Sequence, residues 1–123
     1  MGMGRKLLVV DDEPEFCDFV AKAGSQVGFE TTKIIDSREF QEHYLRTAPE
    51  VVVVDMVMPR VDGFDILEWL SSTDRPQKIV FVSGYNPVYM RAAAMLSEIK
   101  GEFEVYALAK PVSVADLQAV LVQ

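Results

Sequence analysis

The sequence predicts a single doubly wound α/β domain, a five-stranded parallel sheet with helices on both faces. Three observations carry this. Short aliphatic and β-branched runs alternate five times with stretches of helical periodicity, which is the order of successive strand-helix units. Val51 to Val54 is an unbroken run of four valines. Such a run leaves no residue for a wet face, so it belongs to a central parallel strand covered on both sides. The chain has 123 residues, 50% hydrophobic and 25% charged, enough for one such core and too few for two.

Taken in order, residues 1–5 read as a flexible leader and residues 6–123 as the domain. Lys6 to Val10 is an apolar run ending in Asp11-Asp12-Glu13-Pro14, a buried strand that feeds a helix start with acids and a proline in its first turn. Phe16, Phe19, Val20, Ala23 and Val27 recur at helical spacing up to Gly28. Glu30 to Ile35 is the second strand. Asp36-Ser37-Arg38-Glu39 has the spacing of a capping box, and the helix it opens turns Phe40 and Tyr44 inward before Pro49. The valine strand follows. Asp62-Gly63 reads as a turn, ahead of a helix carrying Phe64, Leu67 and Leu70 inward. Lys78 to Val82 is the fourth strand, ending at Ser83-Gly84. Val88, Ala92, Met95, Leu96 and Ile99 mark a long helix closed by Gly101, with Met90 and Met95 as core and rim residues. Val105 to Ala109 is the fifth strand, ending at Lys110-Pro111. Ser113 then caps a last helix with Val114, Leu117 and Leu121 inward.

The bulk chemistry excludes several functions. A formal charge of -7 argues against direct nucleic-acid binding or an anionic membrane surface as the main partner, and suits a cation site. The single cysteine, Cys17, permits no disulfide framework within the chain, which fits a reducing, cytoplasmic setting. No apolar run approaches the ~20 residues of a membrane span. The only histidine, His43, lies on a charged helix face.

Parallel strands of a doubly wound sheet end on one edge, and that edge is where such folds place their chemistry. Here the strand ends carry Asp11 and Asp12, Asp55, Ser83 and Lys110, which the topology therefore makes neighbours. Carboxylates gathered there repel one another unless a cation sits among them, and all-oxygen ligands suit a hard divalent ion such as Mg²⁺. A lysine and a hydroxyl complete a set suited to phosphoryl transfer onto a carboxylate.

At these residues the chain resembles the receiver domains of two-component response regulators, the CheY-like group. The matching features are Asp11-Asp12-Glu13, Asp55 with Met58-Pro59 and Asp62-Gly63, Ser83-Gly84 and Lys110-Pro111, spread over Lys6 to Leu121. The resemblance implies the strand order 2-1-3-4-5. It also implies that Asp55 is the phosphoacceptor for a phosphohistidine on a sensor histidine kinase or histidine phosphotransfer protein. Asp12, Asp55 and the Val57 carbonyl would hold Mg²⁺ directly, or Mn²⁺ in its place, with Asp11 acting mostly through water. Lys110 would contact the phosphoryl group and Asp55, Ser83 would swing to bond it, and the Lys110-Pro111 bond would be cis. An output domain or protein would contact the Ser83-to-Gln123 face. The close of the chain at Gln123, at the end of its last helix, favours a domain taken from a longer protein.

Two departures stand out. The family commonly carries an aromatic ring three residues before the lysine, where this chain has Ala107. Tyr106 is one residue off, so strand alternation turns it to the opposite face. Phosphorylation is therefore expected to move Ser83 and its loop without the usual ring rotation, unless Tyr85 substitutes. The segment between Ser83 and Lys110 is also several residues longer than is usual, which is expected to extend the helix within it. Two rival readings are an aspartate-based phosphohydrolase and a phosphorylation-independent pseudo-receiver. The first wants a second Asp two residues after the nucleophile, where this chain has Val57. The intact acidic cluster with Lys110 speaks against the second. No Gly-rich turn follows the first strand, so a dinucleotide-binding domain fails.

Overall fold

The computed structural model describes residues 4–73, 75–84 and 103–123. Five strands form one parallel sheet in the order β2-β1-β3-β4-β5, as expected. They are β1 Arg5–Val10, β2 Phe29–Ile34, β3 Val51–Asp55, β4 Gln77–Ser83 and β5 Phe103–Ala109. Four helices are described: α1 Pro14–Ser25, α2 Phe40–Thr47, α3 Gly63–Ser71 and α4 Val114–Val122. The helix expected over Val88 to Ile99, with Met90, Met95 and Gly101, lies outside the described residues, as do Tyr85 and most of the long segment after Ser83. Among the described residues no helix is long and apolar enough to cross a membrane.

The pleat divides the core into two layers. Leu8, Val10, Val52, Val54, Ile79 and Phe81 meet Phe40 and Tyr44 of α2 and Ile66, Leu67 and Leu70 of α3. Leu7, Val9, Val51, Val53, Val80 and Val82 meet Cys17, Val20 and Ala23 of α1 and Leu117 and Leu121 of α4. The four valines alternate between these layers and all are fully buried. Each contributes roughly 1.5–3 kcal/mol relative to an exposed side chain. With both faces of β3 filled, its register is fixed, because a one-residue slip would exchange the two layers.

Several expectations need correction. β1 begins at Arg5, taking in the last residue of the expected leader, and β2 runs from Phe29 to Ile34, leaving Ile35 exposed. The capping box expected at Asp36–Glu39 is absent. Asp36 instead accepts from the Arg38 amide and caps a short 3-10 turn over Ser37–Glu39, with α2 starting at Phe40. The box occurs at α3: the Asp65 amide donates to Asp62 Oδ1 at 3.0 Å, and the Asp62 amide donates to Asp65 Oδ2 at 3.1 Å. An aspartate at the third helical position does what glutamate usually does there. Val114, expected inward, is exposed. It is the first residue of α4, entering from a largely exposed stretch, and the buried stripe begins at Leu117. Ser113 is the N-cap, accepting from the Asp116 amide at 3.0 Å.

Candidate functional site

Four parallel strands deliver the site. β1 ends at Val10, so Asp11 and Asp12 follow at the sheet edge. β3 ends on Asp55 itself, and β4 ends on Ser83. Lys110 follows β5, and its amide donates to the Ser83 carbonyl at 3.1 Å, which extends the ladder by one rung. The Lys110-Pro111 peptide is cis, as expected. Asp12, Glu13, Asp55, Val57, Ser83, Gly84 and Lys110 line one open cleft.

Carboxylate oxygens of Asp11, Asp12 and Asp55 lie within 4.8 Å of one another. That is near the span of about 4 Å across a Mg²⁺ ion with ligands at about 2.1 Å. Only oxygen donors face the cleft from these residues, so the set fits a hard divalent cation. The three acids are not equivalent. Asp12 is exposed, whereas Asp11 is wholly buried and both its oxygens are engaged. Its Oδ1 accepts from the Glu13 amide at 2.8 Å, and its Oδ2 accepts from Lys110 Nζ at 2.9 Å. Asp55 is 7% exposed. Its Oδ1 accepts from the Val57 amide at 3.1 Å, and Lys110 Nζ stands 3.6 Å from its Oδ2. Val57 is 57% exposed at the rim.

Electrostatics single out Asp55. Burial first, and then the charge of Asp11, push its carboxyl up to about 6, against the smaller opposing effects of the Val57 amide and Lys110. Burial raises Asp11 as well, countered by Lys110 and the Glu13 amide. Burial alone would lower Lys110, but its hydrogen bonds to Asp11 and Glu13 and the charge of Asp55 outweigh it and raise it. Among the described residues the edge is thus an anionic cluster around the Lys110 ammonium.

All the sequence-derived site residues meet here, and three contacts were not legible in advance. Glu13, read only as a helix-start acid, accepts from Lys110 Nζ at 3.0 Å. The Phe16 ring lies 4.5 Å below the same ammonium. Gly63, read as part of a turn, packs directly on the Asp55 loop. A Cβ there would stand 2.6 Å from Met56 Cα and 2.8 Å from the Asp55 carbonyl oxygen, and the Gly63 amide donates to the Met56 carbonyl. The only sequence signal for this was the glycine after Asp62. Strand alternation held at the end of β5, where Ala107 joins the α2/α3 layer and Tyr106 the α1/α4 layer.

Residues 7–122 match the model of the response regulator receiver domain. The chain is 33% identical over 85 residues to the chemotaxis protein CheY of Thermotoga maritima, covering 66% of this chain and 68% of that protein. It is 28% identical over 92 residues to the transcriptional regulatory protein TrcR of Mycobacterium tuberculosis, covering 75% of this chain but 36% of the relative. It therefore spans only about a third of that longer regulator's length. A response regulator receiver domain protein from Clostridium thermocellum superimposes with a TM-score of 0.79 at 27% identity, over 95% of this chain and 90% of the other. A CheY-like receiver domain protein from Methanospirillum hungatei gives 0.82 at 18% identity, over 97% and 91%, and shows the fold alone. The strand order, the acidic edge and these matches agree, and the chain belongs to the response regulator receiver domains of two-component systems.

Proposed function

We propose that this domain is a phosphorylation switch that takes a phosphoryl group from a phosphohistidine onto Asp55. The donor would be a sensor histidine kinase or a histidine phosphotransfer protein. One Asp55 oxygen attacks phosphorus, the P–N bond breaks with its electron pair returning to the imidazole, and an acyl phosphate forms. The observation that carries this reading is Asp55 itself: buried at the end of β3, held up to about 6, beside two other carboxylates and one ammonium. A buried carboxylate in such company is poised to gain a partner.

Asp12, Asp55 and the Val57 carbonyl would hold Mg²⁺ or Mn²⁺, and Asp11, whose oxygens are already engaged, would act through water. When bound, the ion supplies the positive charge that lets an anionic carboxylate approach an anionic phosphoryl group. Lys110 orients and neutralises that group, and the Ser83 hydroxyl donates to it. The domain contributes positioning and charge, not a covalent step of its own beyond Asp55. The exposed Val57 occupies the place where a phosphohydrolase needs an acid, which favours a switch that loses its phosphoryl group slowly to water. The added charge would bias the Ser83 loop between two arrangements and present the Ser83-to-Gln123 face to an output domain or protein.

Incubation with acetyl phosphate and Mg²⁺, followed by intact mass, tests this. The wild type should gain one phosphoryl mass, and Asp55→Asn should gain none. An unmodified wild type that nonetheless binds Mg²⁺ would identify a pseudo-receiver instead.

A further inference from the structure

Lys110 is drawn to the wrong side of the site for the role just proposed. Its ammonium is 2.9 Å from Asp11 Oδ2 and 3.0 Å from Glu13 Oε1, but 3.6 Å from Asp55 Oδ2. An ammonium has three donors, and two of them are committed to acids that lie between β1 and α1. The Phe16 ring, in the first turn of α1, lies against the same nitrogen at 4.5 Å. Asp11 is fixed in place by burial and by the Glu13 amide. Glu13 differs from it. It is the N-cap residue of α1 but makes no side-chain capping bond, and its side chain is largely exposed. Its carboxylate can therefore be replaced without unpicking the helix start, and among the described residues it hydrogen-bonds to Lys110.

We propose that Glu13 is a positioning residue that holds the Lys110 ammonium on the α1 side, off Asp55, and so sets how readily Asp55 accepts a phosphoryl group. This rests on Asp55 being the acceptor. In the resting site Lys110 is shared between Asp11 and Glu13. To meet a phosphoryl group on Asp55 it must give up the Glu13 bond. Glu13 is thus a brake on phosphorylation, acting through the lysine.

The test separates positioning from simple charge. Rates of phosphorylation by acetyl phosphate with Mg²⁺ are followed by intact mass for wild type, Glu13→Gln and Glu13→Asp. Glu13→Gln removes the charge. Glu13→Asp keeps it on a side chain one methylene shorter, which draws the carboxylate back from its 3.0 Å contact with Lys110. Both variants should phosphorylate faster by about 2- to 5-fold, the range expected for releasing one partly exposed ion pair, with thermal midpoints close to wild type. Unchanged or slower rates in both would overturn the proposal. A faster Glu13→Gln with Glu13→Asp at the wild-type rate would also overturn it, since charge repulsion of the donor would then suffice. A wild type that never acquires the phosphoryl mass would overturn the acceptor reading, and this inference with it, whereas a phosphorylated wild type with unresponsive variants overturns only the role of Glu13.

Discussion

Lys110 and Lys78 stand at opposite ends of the same sheet and are pushed in opposite directions. Lys110 follows β5 at the carboxyl edge. Burial lowers it, but Asp11, Glu13 and Asp55 outweigh burial and raise it. Lys78 lies near the start of β4 at the amino edge, and burial, only partly countered by Glu104, lowers it. Its ammonium donates to main-chain oxygens, those of Leu121 and Gln123 at 3.1 and 2.9 Å, and lies over the Tyr106 ring. Beside it the buried Gln77 is fully used. Its oxygen accepts from the Tyr44 hydroxyl at 2.7 Å, and its nitrogen donates to the Glu50 and Lys78 carbonyls. The amino edge is closed with bonds already made. Among the described residues, the carboxyl edge carries more negative charge than Lys110 balances. A fold can hold such an imbalance only where the rest of the core is settled, and the imbalance is what a cation or a phosphoryl group can use.

The largest expected effect lies at the unsettled edge. In metal-free protein Asp55 is raised from the ordinary carboxylate value of about 3.9 to about 6. The folded state therefore binds its proton more tightly than the unfolded chain does. This contribution to stability is present at low pH and is lost as pH rises from about 4 through about 6. The loss amounts to about 3 kcal/mol at neutral pH. Urea titrations in EDTA between pH 4 and pH 7 should show Asp55→Asn gaining on the wild type by that order as pH rises. Adding Mg²⁺ at pH 7 should close much of the gap. Parallel pH profiles for the two proteins would mean that the carboxyl edge is as settled as the other.

At the amino edge the expected change has the opposite sign and no pH dependence across that range. Tyr44→Phe keeps the ring contacts with Phe40 and Trp69, whose centroids lie 5.7 and 5.4 Å away. It leaves the buried Gln77 oxygen without its hydroxyl donor. An unsatisfied buried acceptor costs about 1–3 kcal/mol. Denaturant midpoints should fall accordingly, while the rate of phosphorylation at Asp55 stays the same. A change in that rate would show that the two edges are coupled through the sheet.

The two edges also differ in how far the sequence alone revealed them. The carboxyl edge was legible because strand ends are readable: four valines followed by Asp55, and an apolar run followed by Asp11 and Asp12, fix where those residues stand. The strand order came from resemblance, not from periodicity. The period of two also separated Tyr106 from Ala107 correctly. What escaped was pairing between long side chains. Lys110 has four rotatable bonds, and its preference for Glu13 over Asp55 depends on where α1 begins in space. The Tyr44–Gln77 bond spans 33 positions, and neither residue carries a pattern that points to the other. Capping was misplaced for a local reason. Asp36 and Asp62 are both plausible caps, and a 3-10 turn after Asp36 decided which of them formed a box.

The smallest expected effect is the sharpest check on the contrast. Lys78→Met replaces a buried ammonium by an apolar chain of similar length. The substitution gives up two hydrogen bonds to main-chain oxygens and a contact with the Tyr106 ring, the latter worth about 0.5–1 kcal/mol. It also removes the cost of burying a charge, the same cost that lowers the lysine. Val122 and Gln123 are exposed, so water can reach the end of α4 and replace the donor at its carbonyls. The opposing effects should leave stability within about 1 kcal/mol of wild type by urea titration. Hydrogen exchange at the last turn of α4 should rise, with the sheet amides unaffected. A loss of several kcal/mol would show that Lys78 clamps α4 as firmly as the acids hold Lys110. The difference between the two edges would then lie in solvent access rather than in charge.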